Sequence, residues 1–171
     1  GLCEVNIPSS VRVVGTRAFA FCKYLRSVKF ETGIKTISES MFSNCKNLRF
    51  IELPSSVEKI EGDAFAECAL QKIDLPENIN TIESYAFREC DSLTFVTIPP
   101  KVTSINSGMF YSCDFLEKVN IHDEVKYIAN DAFDRCDKLT ICGMKGSYAE
   151  QYAKKHNIPF KKLDTTIQSV N

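Results

Sequence analysis

Cysteine is the most reactive residue type in this chain, and six of the eight cysteines recur at a nearly constant interval. Each of the six stands three residues after a phenylalanine, as in "AFAEC" (64–68), "AFREC" (86–90) and "AFDRC" (132–136). A recurring thiol can ligate zinc, form disulfide bonds, act as a nucleophile or fill a hydrophobic core. These four roles imply different functions, so the surrounding sequence has to decide between them. The six cysteines are Cys22, Cys45, Cys68, Cys90, Cys113 and Cys136.

Metal binding and catalysis find little support in the sequence. A structural zinc site needs four converging ligands, usually arranged as C-x₂₋₄-C pairs, but the sequence has no C-x-x-C, and its only histidines are His122 and His156. It also lacks a Gly-rich phosphate loop, an H-E-x-x-H motif and a G-x-S-x-G motif. The sequence therefore predicts no metal, no cofactor and no enzymatic activity.

The phenylalanines that precede the cysteines are spaced by 23, 23, 22, 23 and 23 residues. The single 22 arises because one residue is missing between Cys68 and Leu70. A fixed period in this range is typical of a solenoid, in which each repeat is one coil stacked on the last. Six full units span 2–138, and a seventh first strand is expected near 139–144. Each unit is numbered from its leucine: Leu2, Leu25, Leu48, Leu70, Leu93, Leu116 and Leu139.

Each unit carries the pattern of two short strands and a turn. Apolar residues at positions 4 and 6 alternate with polar ones, which predicts a strand with one buried face. Proline follows in four units and should end that strand, because it has no N–H to donate. Positions 10–13 predict a second short strand, and phenylalanine and cysteine, three apart, predict one face of a single helical turn. No unit can bury its apolar face alone, so the coils must stack.

Stacking also bears on the disulfide alternative. Equivalent residues in stacked coils point the same way, so neighbouring cysteines would have Cβ atoms roughly 5 Å apart, whereas a disulfide needs about 3.8 Å. We therefore expect buried, reduced thiols that act as small hydrophobic side chains. Cys142 takes position 4 of the last unit and is expected in the core. Cys3 is the one thiol expected to be exposed and available for chemistry between chains.

The two ends of the chain differ. The solenoid is predicted to span 2–144, and the period breaks in 145–163, where Ser147 and Glu150 form a capping box that predicts a helix. This helix and a closing strand are expected to form a C-terminal cap, and 164–171 a loose tail. The sequence opens inside a unit, so we expect the first coil to be uncovered. An upstream segment, a partner chain or self-association would then cover it.

The units "LRFIELPSSVEKIEGDAFAECA" and "LTFVTIPPKVTSINSGMFYSCDF" resemble the BspA-like leucine-rich repeat family, and the ending "TICGMKGSYAEQYAKKHNIPFK" is similar to its C-terminal cap. The resemblance covers 2–163. It implies an α/β repeat fold, a right-handed leucine-rich repeat solenoid of six 22- to 23-residue coils with a helix-strand cap. It also implies a surface or secreted protein of host-associated bacteria or mucosal protozoa, some of which adhere to host matrix proteins.

Composition and the outward positions set the expectations about partners. The net charge of −1 gives no reason to expect nucleic acid or an anionic membrane, and no apolar run approaches the roughly 20 residues that span a bilayer. The start "GLCEVNIP" shows no signal peptide. In the first strands, positions 3 and 5 point away from the core onto the open sheet that solenoids use for partners. Position 3 is read as Glu4, Ser27, Phe50, Lys72, Phe95, Lys118 and Ile141, and position 5 as Asn6, Lys29, Glu52, Asp74, Thr97, Asn120 and Gly143.

Two aromatic residues and several cations stand out on this face. Exposed aromatic residues are candidate interface anchors, and nearby cations could pair with acidic groups of a ligand, although isolated exposed aromatics are also common on soluble proteins. The candidate binding residues are Phe50, Phe95, Arg26, Lys29, Arg49, Lys72 and Lys118.

The leading hypothesis is a non-enzymatic, cell-surface or secreted adhesion-type module that presents its repeat sheet to a protein ligand, such as a host extracellular-matrix protein. A structural spacer of a larger surface protein and an intracellular interaction scaffold are the alternatives.

Overall fold

The computed structural model describes residues 1–31 and 33–163, so the tail predicted for 164–171 lies outside the described residues. Seven stacked coils and a terminal cap make up the described chain. Their first strands are β1 (Glu4–Ile7), β2 (Ser27–Phe30), β4 (Phe50–Glu52), β7 (Phe95–Thr97), β9 (Lys118–Asn120) and β11 (Thr140–Gly143). The second strands are β3 (Thr36–Ile37), β5 (Lys59–Ile60), β6 (Thr81–Ile82), β8 (Ser104–Ile105) and β10 (Tyr127–Ile128), and the cap is α1 (Tyr148–Lys155) with β12 (Phe160–Lys162).

The first strands form what we call the front sheet. Every pair in it is parallel, and equivalent positions of successive coils lie side by side, for example Val5 beside Val28 and Val28 beside Ile51. The sheet falls into two blocks, ordered β1-β2-β4 and β12-β11-β9-β7. This parallel, one-coil-per-strand arrangement is the leucine-rich repeat solenoid that the sequence predicts.

The two blocks meet at the fourth coil, which directly follows the unit that is one residue short. Its first segment forms no strand within the described residues, and a single bridge from Glu52 to Asp74 links it to the third coil. Two residues separate Cys45 from Leu48, whereas Ala69 alone separates Cys68 from Leu70. The front sheet is therefore interrupted where the connection that leads into the strand is shortened.

The segment around phenylalanine and cysteine is a series of tight turns, so the predicted helical turn is wrong. In the second coil the N–H of Cys45 donates to the carbonyl of Phe42, three residues earlier, at 3.0 Å. Asn44 between them has a φ of 61°, in the left-handed region, whereas an α-helix needs negative φ and bonds four residues apart. Phenylalanine and cysteine still share one face, as predicted, because both side chains point into the core.

These turns are also bonded from coil to coil. In the second coil the N–H groups of Ser40, Phe42 and Asn44 donate to carbonyls of the third coil at 2.9, 2.9 and 2.8 Å. The same three bonds join the third coil to the fourth and the fourth to the fifth. We call this continuous column the turn ladder. It passes through the fourth coil without the interruption seen in the front sheet.

The core is one contiguous cluster that runs the length of the solenoid. The repeated phenylalanines stack in a column with ring centroids 5.4 to 5.6 Å apart and planes within 11° of parallel. Such offset stacking adds about 0.5–1.5 kcal/mol per pair to the burial itself. The column consists of Phe19, Phe42, Phe65, Phe87, Phe110 and Phe133.

The repeated cysteines are free thiols, as predicted. All but the partly buried Cys22 donate a hydrogen bond to the phenylalanine carbonyl of the preceding coil. The thiol of Cys68 donates to the carbonyl of Phe42 in the preceding coil at 3.1 Å, and the thiol of Cys90 donates to that of Phe65 at 3.1 Å. Burial raises the pKa of Cys45 and of Cys90 to about 12. The cysteine is thus a packing residue that also satisfies a buried carbonyl. Cys3 is exposed, as expected.

The cap covers the last coil. The Ser147 hydroxyl accepts a hydrogen bond from the N–H of Glu150, which confirms the predicted start of the helix. Tyr152 lies edge-on to Phe133 with ring centroids 6.0 Å apart, and its hydroxyl donates to the carbonyl of Asn130 at 3.1 Å. Tyr152 therefore ends the phenylalanine column.

The opposite end is less covered. Leu2 is 48% exposed, and Val5, Val11, Val14 and Phe19 are only partly buried. Equivalent residues of the second coil, such as Leu25 and Ile37, are fully buried. The apolar face of the first coil is therefore partly exposed to solvent, as the sequence leads one to expect.

Candidate protein-binding face

The front sheet presents two outward columns, which the strand register defines. Position 3 places Glu4, Ser27 and Phe50 side by side, and position 5 places Asn6, Lys29 and Glu52 side by side. Most of these side chains are polar and exposed, as a solvated face requires.

Phe50 is the main exception. It is 58% exposed and lies in β4, the last strand of the first block, next to the interruption of the front sheet. Its ring stands between two depressions. Arg26, Asn47 and Arg49 line one of them with Phe50. Lys29 lines the other with Phe50, together with Glu4 and Glu52. We call Arg26, Lys29, Arg49 and Phe50 the Phe50 patch, and four of the predicted binding residues thus come together.

The cations of the Phe50 patch have no carboxylate partner within 4 Å among the described residues. Carboxylates still lie nearby: Glu52 is beside Lys29 in the strand register, and Glu31 accepts hydrogen bonds from the N–H of Ser9 at 3.0 Å and from the Asn6 amide at 3.4 Å. These bonds lower the pKa of Glu31. Glu31 therefore stays ionised at neutral pH, and it moderates the charge of Lys29 but forms no ion pair with it.

The other three predicted residues lie outside this patch. The ammonium of Lys72 pairs with the carboxylate of Asp74 at 2.9 Å, so its charge is already matched. Phe95 is half-buried, and Lys118 lies over its ring at 5.5 Å from the centroid. Phe95 and Lys118 thus form a cation–π pair in the second block of the sheet, separate from the Phe50 patch.

The reading of the last coil is wrong by one residue. Ile141 pairs with Val119 and is fully buried, so it belongs to the core and not to outward position 3. Thr140 takes that position beside Lys118, and Cys142 takes position 5 beside Asn120, in place of Gly143. The last coil has lost a residue between its leucine and its strand. Cys142 is buried, as predicted, but on the outer face of the sheet and not in the core cluster.

Asn47 lines one of the depressions beside Phe50, and the sequence did not predict it there. It precedes Leu48 in the turn before the strand, and its side-chain amide donates to the carbonyl of Lys23 at 2.6 Å. The sequence signal was its place directly before the repeat leucine, which brings it next to the residues at positions 2 and 3.

The described residues do not assemble a recognisable catalytic or metal centre. No group of three or more His, Cys, Asp or Glu side chains among them could hold a metal ion. The His122 ring shares a hydrogen bond with the carbonyl of Pro99 at 2.9 Å, and the His156 ring stacks on Tyr152 at 4.1 Å. Both histidines therefore have packing or bonding roles in the fold. No helix in the described part of the chain is long and apolar enough to cross a membrane.

Comparison with protein families identifies the repeat. The model of the BspA type leucine rich repeat region matches six copies in residues 12–140. The chain belongs to the BspA-type leucine-rich repeat family. Repeats of this kind are typically non-enzymatic and commonly mediate protein interaction. No curated protein matches the sequence significantly.

Solved structures of bacterial proteins share the fold. A leucine-rich repeat protein from Bacteroides ovatus is 26% identical with a TM-score of 0.68, and the match covers 84% of this chain and 40% of that one. The T. pallidum leucine rich repeat protein is 24% identical with a TM-score of 0.75, over 94% of this chain and 86% of that one. The pneumococcal vaccine antigen PcpA is 19% identical with a TM-score of 0.78, and the match covers 94% of this chain and 41% of that one. The chain thus spans 40% of the length of the Bacteroides protein.

Proposed function

We propose that this BspA-type chain is a non-enzymatic protein-binding module, displayed on the cell surface or secreted, whose front sheet binds a protein ligand through the Phe50 patch. The exposure of Phe50 carries the proposal. A phenylalanine that is 58% exposed on the polar outer face of the sheet leaves apolar area in water, and burying it against a partner recovers up to about 1.5–3 kcal/mol.

The surrounding charges define the ligand further. Arg26 and Arg49 line the depression on one side of Phe50, and Lys29 lines the depression on the other side. A ligand that inserts an apolar side chain beside Phe50 and places a carboxylate in the first depression would meet both arginines, whereas Lys29 shares its depression with Glu4 and Glu52. Arginine and aromatic residues in a central, desolvated position are the usual energetic hot spots of interfaces.

The family supports a surface location and an adhesive role. The fold is shared with PcpA, a pneumococcal vaccine antigen, and a host extracellular-matrix protein is the ligand that the family resemblance favours.

Surface plasmon resonance against a panel of purified extracellular-matrix proteins tests the proposal. We expect at least one to bind, and Phe50→Ala to weaken that binding about 30-fold, which corresponds to the roughly 2 kcal/mol of a hot spot. Tyr127→Ala is the matched control, because Tyr127 is 52% exposed but lies in β10, outside the front sheet.

Two results would count against the proposal. If no matrix protein binds the unmodified chain, the matrix ligand is wrong. If a ligand binds and the double variant Phe50→Asp/Phe95→Asp binds it as tightly as the unmodified chain does, the front sheet is not the binding face. The spacer alternative then accounts better for the chain.

A further inference from the structure

A second groove lies at the other end of the front sheet, over β11. Thr140 and Cys142 are short side chains on the outer face of this strand. Lys118 of β9 lies beside Thr140, and Lys161 of β12 lies beside Cys142. Two short residues between longer neighbours leave a channel of about 780 Å³ that runs along the strand.

Four lysines line this channel, which we call the lysine groove. Lys118 and Lys161 form its sides, and Lys138 and Lys162 complete the lining. The Lys138 ammonium lies 3.7 Å from the centre of the Phe115 ring, which holds that side chain in place without neutralising it. The groove therefore concentrates positive charge in one short channel.

The positive charge is largely unmatched within the described residues. None of the four lysines has a carboxylate within 4 Å there, and Glu117 is the single acidic residue that lines the groove. Like charges held close together repel each other, so an anionic ligand would relieve repulsion as well as form new ion pairs.

The backbone next to the groove suits an extended chain. Among the described residues, β12 pairs only with β11, so its other edge carries N–H and C=O groups without a strand partner there. An extended peptide can pair with such an edge and place alternate side chains toward one face. A carbohydrate polyanion cannot form that strand pairing.

The basic surface is also short. Along outward position 5, Lys161 is followed by Cys142, Asn120 and Thr97, which are uncharged, and then by Asp74 and Glu52, which are acidic. A long polyanion would run from the lysine groove onto these carboxylates. A segment of a few acidic residues matches the size of the groove.

We infer that the lysine groove binds a short acidic peptide segment in extended conformation, which lies over Thr140 and Cys142 with its carboxylates toward the four lysines. The site is separate from the Phe50 patch, since β11 is four strand spacings, or roughly 20 Å at about 4.8 Å per strand, from β4. The inference does not depend on the proposed function.

Fluorescence anisotropy of the full chain with a fluorescein-labelled (Glu-Thr)₆ peptide tests it. We expect measurable binding at 20 mM salt and weaker binding at 150 mM salt, because salt screens exposed charges. The double variant Lys118→Gln/Lys161→Gln should bind about tenfold more weakly, since each exposed ion pair contributes a few-fold.

Two controls separate the groove from general charge effects. Lys23→Gln/Lys101→Gln removes the same charge from exposed lysines outside the groove and should leave the affinity unchanged. Phe50→Ala should also leave it unchanged, so a failure of the proposed function and a failure of this inference give different results.

Three outcomes would overturn the inference. If the peptide does not bind, the lysines serve only to protect the edge of the sheet from pairing. If both double variants weaken binding equally, the attraction is not specific to the groove. If a heparin hexasaccharide displaces the peptide and binds more tightly through the same lysines, the ligand is a carbohydrate polyanion.

Discussion

The role of the cysteine column can be tested by the rates at which the thiols react. Burial raises the pKa of Cys45 and Cys90 to about 12, so at pH 8 only about 10⁻⁴ of either thiol is the reactive thiolate. An unperturbed thiol with a pKa of about 8.5 is about one quarter thiolate at the same pH. Cys45 and Cys90 should therefore react at least a thousandfold more slowly than an exposed thiol.

The burial pattern predicts three classes of thiol. Cys3 is exposed and should react with iodoacetamide first, and Cys22 is partly buried and should follow. The other six are buried. The five in the cysteine column should react only when the coils open, and Cys142, which lines the lysine groove, should also react slowly. Intact-mass spectrometry of timed samples at pH 8 counts the labelled thiols. A Cys3→Ser variant should lose the fast phase and keep the rest.

The same experiment in guanidinium without a reductant completes the test. All eight thiols should then be labelled, because the structure contains eight free cysteines. Fewer labelled thiols in the denatured chain would mean that some are bonded to each other. Labelling of the buried thiols at the rate of Cys3 in the native chain would mean that the column is open to water. Either result would refute the packing role.

Three further predictions concern stability, each measured by urea denaturation. Phe87→Ala should lower the free energy of unfolding by about 3–5 kcal/mol, because Phe87 is fully buried between two stacked rings. Phe19→Ala, at the partly exposed end of the column, should lower it by about half as much. Equal losses would contradict the stacking of the phenylalanine column. Tyr152→Phe should cost about 0.5–1.5 kcal/mol through the lost hydrogen bond to Asn130, and no change in the midpoint would show that the bond contributes nothing. The free energy of unfolding should be full below pH 9 and should fall between pH 9 and 12, by about 1.4 kcal/mol per pH unit for each of Cys45 and Cys90, because the unfolded chain loses protons that these two thiols retain; a midpoint that does not vary with pH in this range would argue against it.

Most of the fold can be predicted from the repeat period. Because apolar residues recur at fixed positions of a 22- to 23-residue unit, the strands, the stacking and the buried columns all follow from counting. The helical turn was wrong because two residues three apart share a face in a helix and also in successive tight turns. Residues in the left-handed region, such as Arg17, Asp63 and Glu89, carry side chains that give no sequence signal for it.

Position numbers within the repeat predict one of the two candidate sites and miss the other. The Phe50 patch follows from position numbers within intact units. The lysine groove cannot be found by counting positions, because the last coil is one residue short. The structure pairs Ile141 with Val119, which shifts the register of this coil by one residue. Lys161 and Lys162 belong to a cap that has no repeat to be aligned with. Their place beside Cys142 depends on how the cap packs, which spacing along the chain does not encode.

The turn ladder and the interrupted front sheet have a mechanical consequence. When the two ends of the chain are pulled apart, the turn ladder near Phe65 and Phe87 carries most of the tension across the fourth coil, with help from the pairing of β5 and β6. On the front, only the bridge at Asp74 and two hydrogen bonds of the Gln71 backbone join this described coil to its neighbours. The front should part at this coil before either group of strands is deformed. Each half of the face would then keep its own shape under load, so a partner held at one half need not be released when the other is strained.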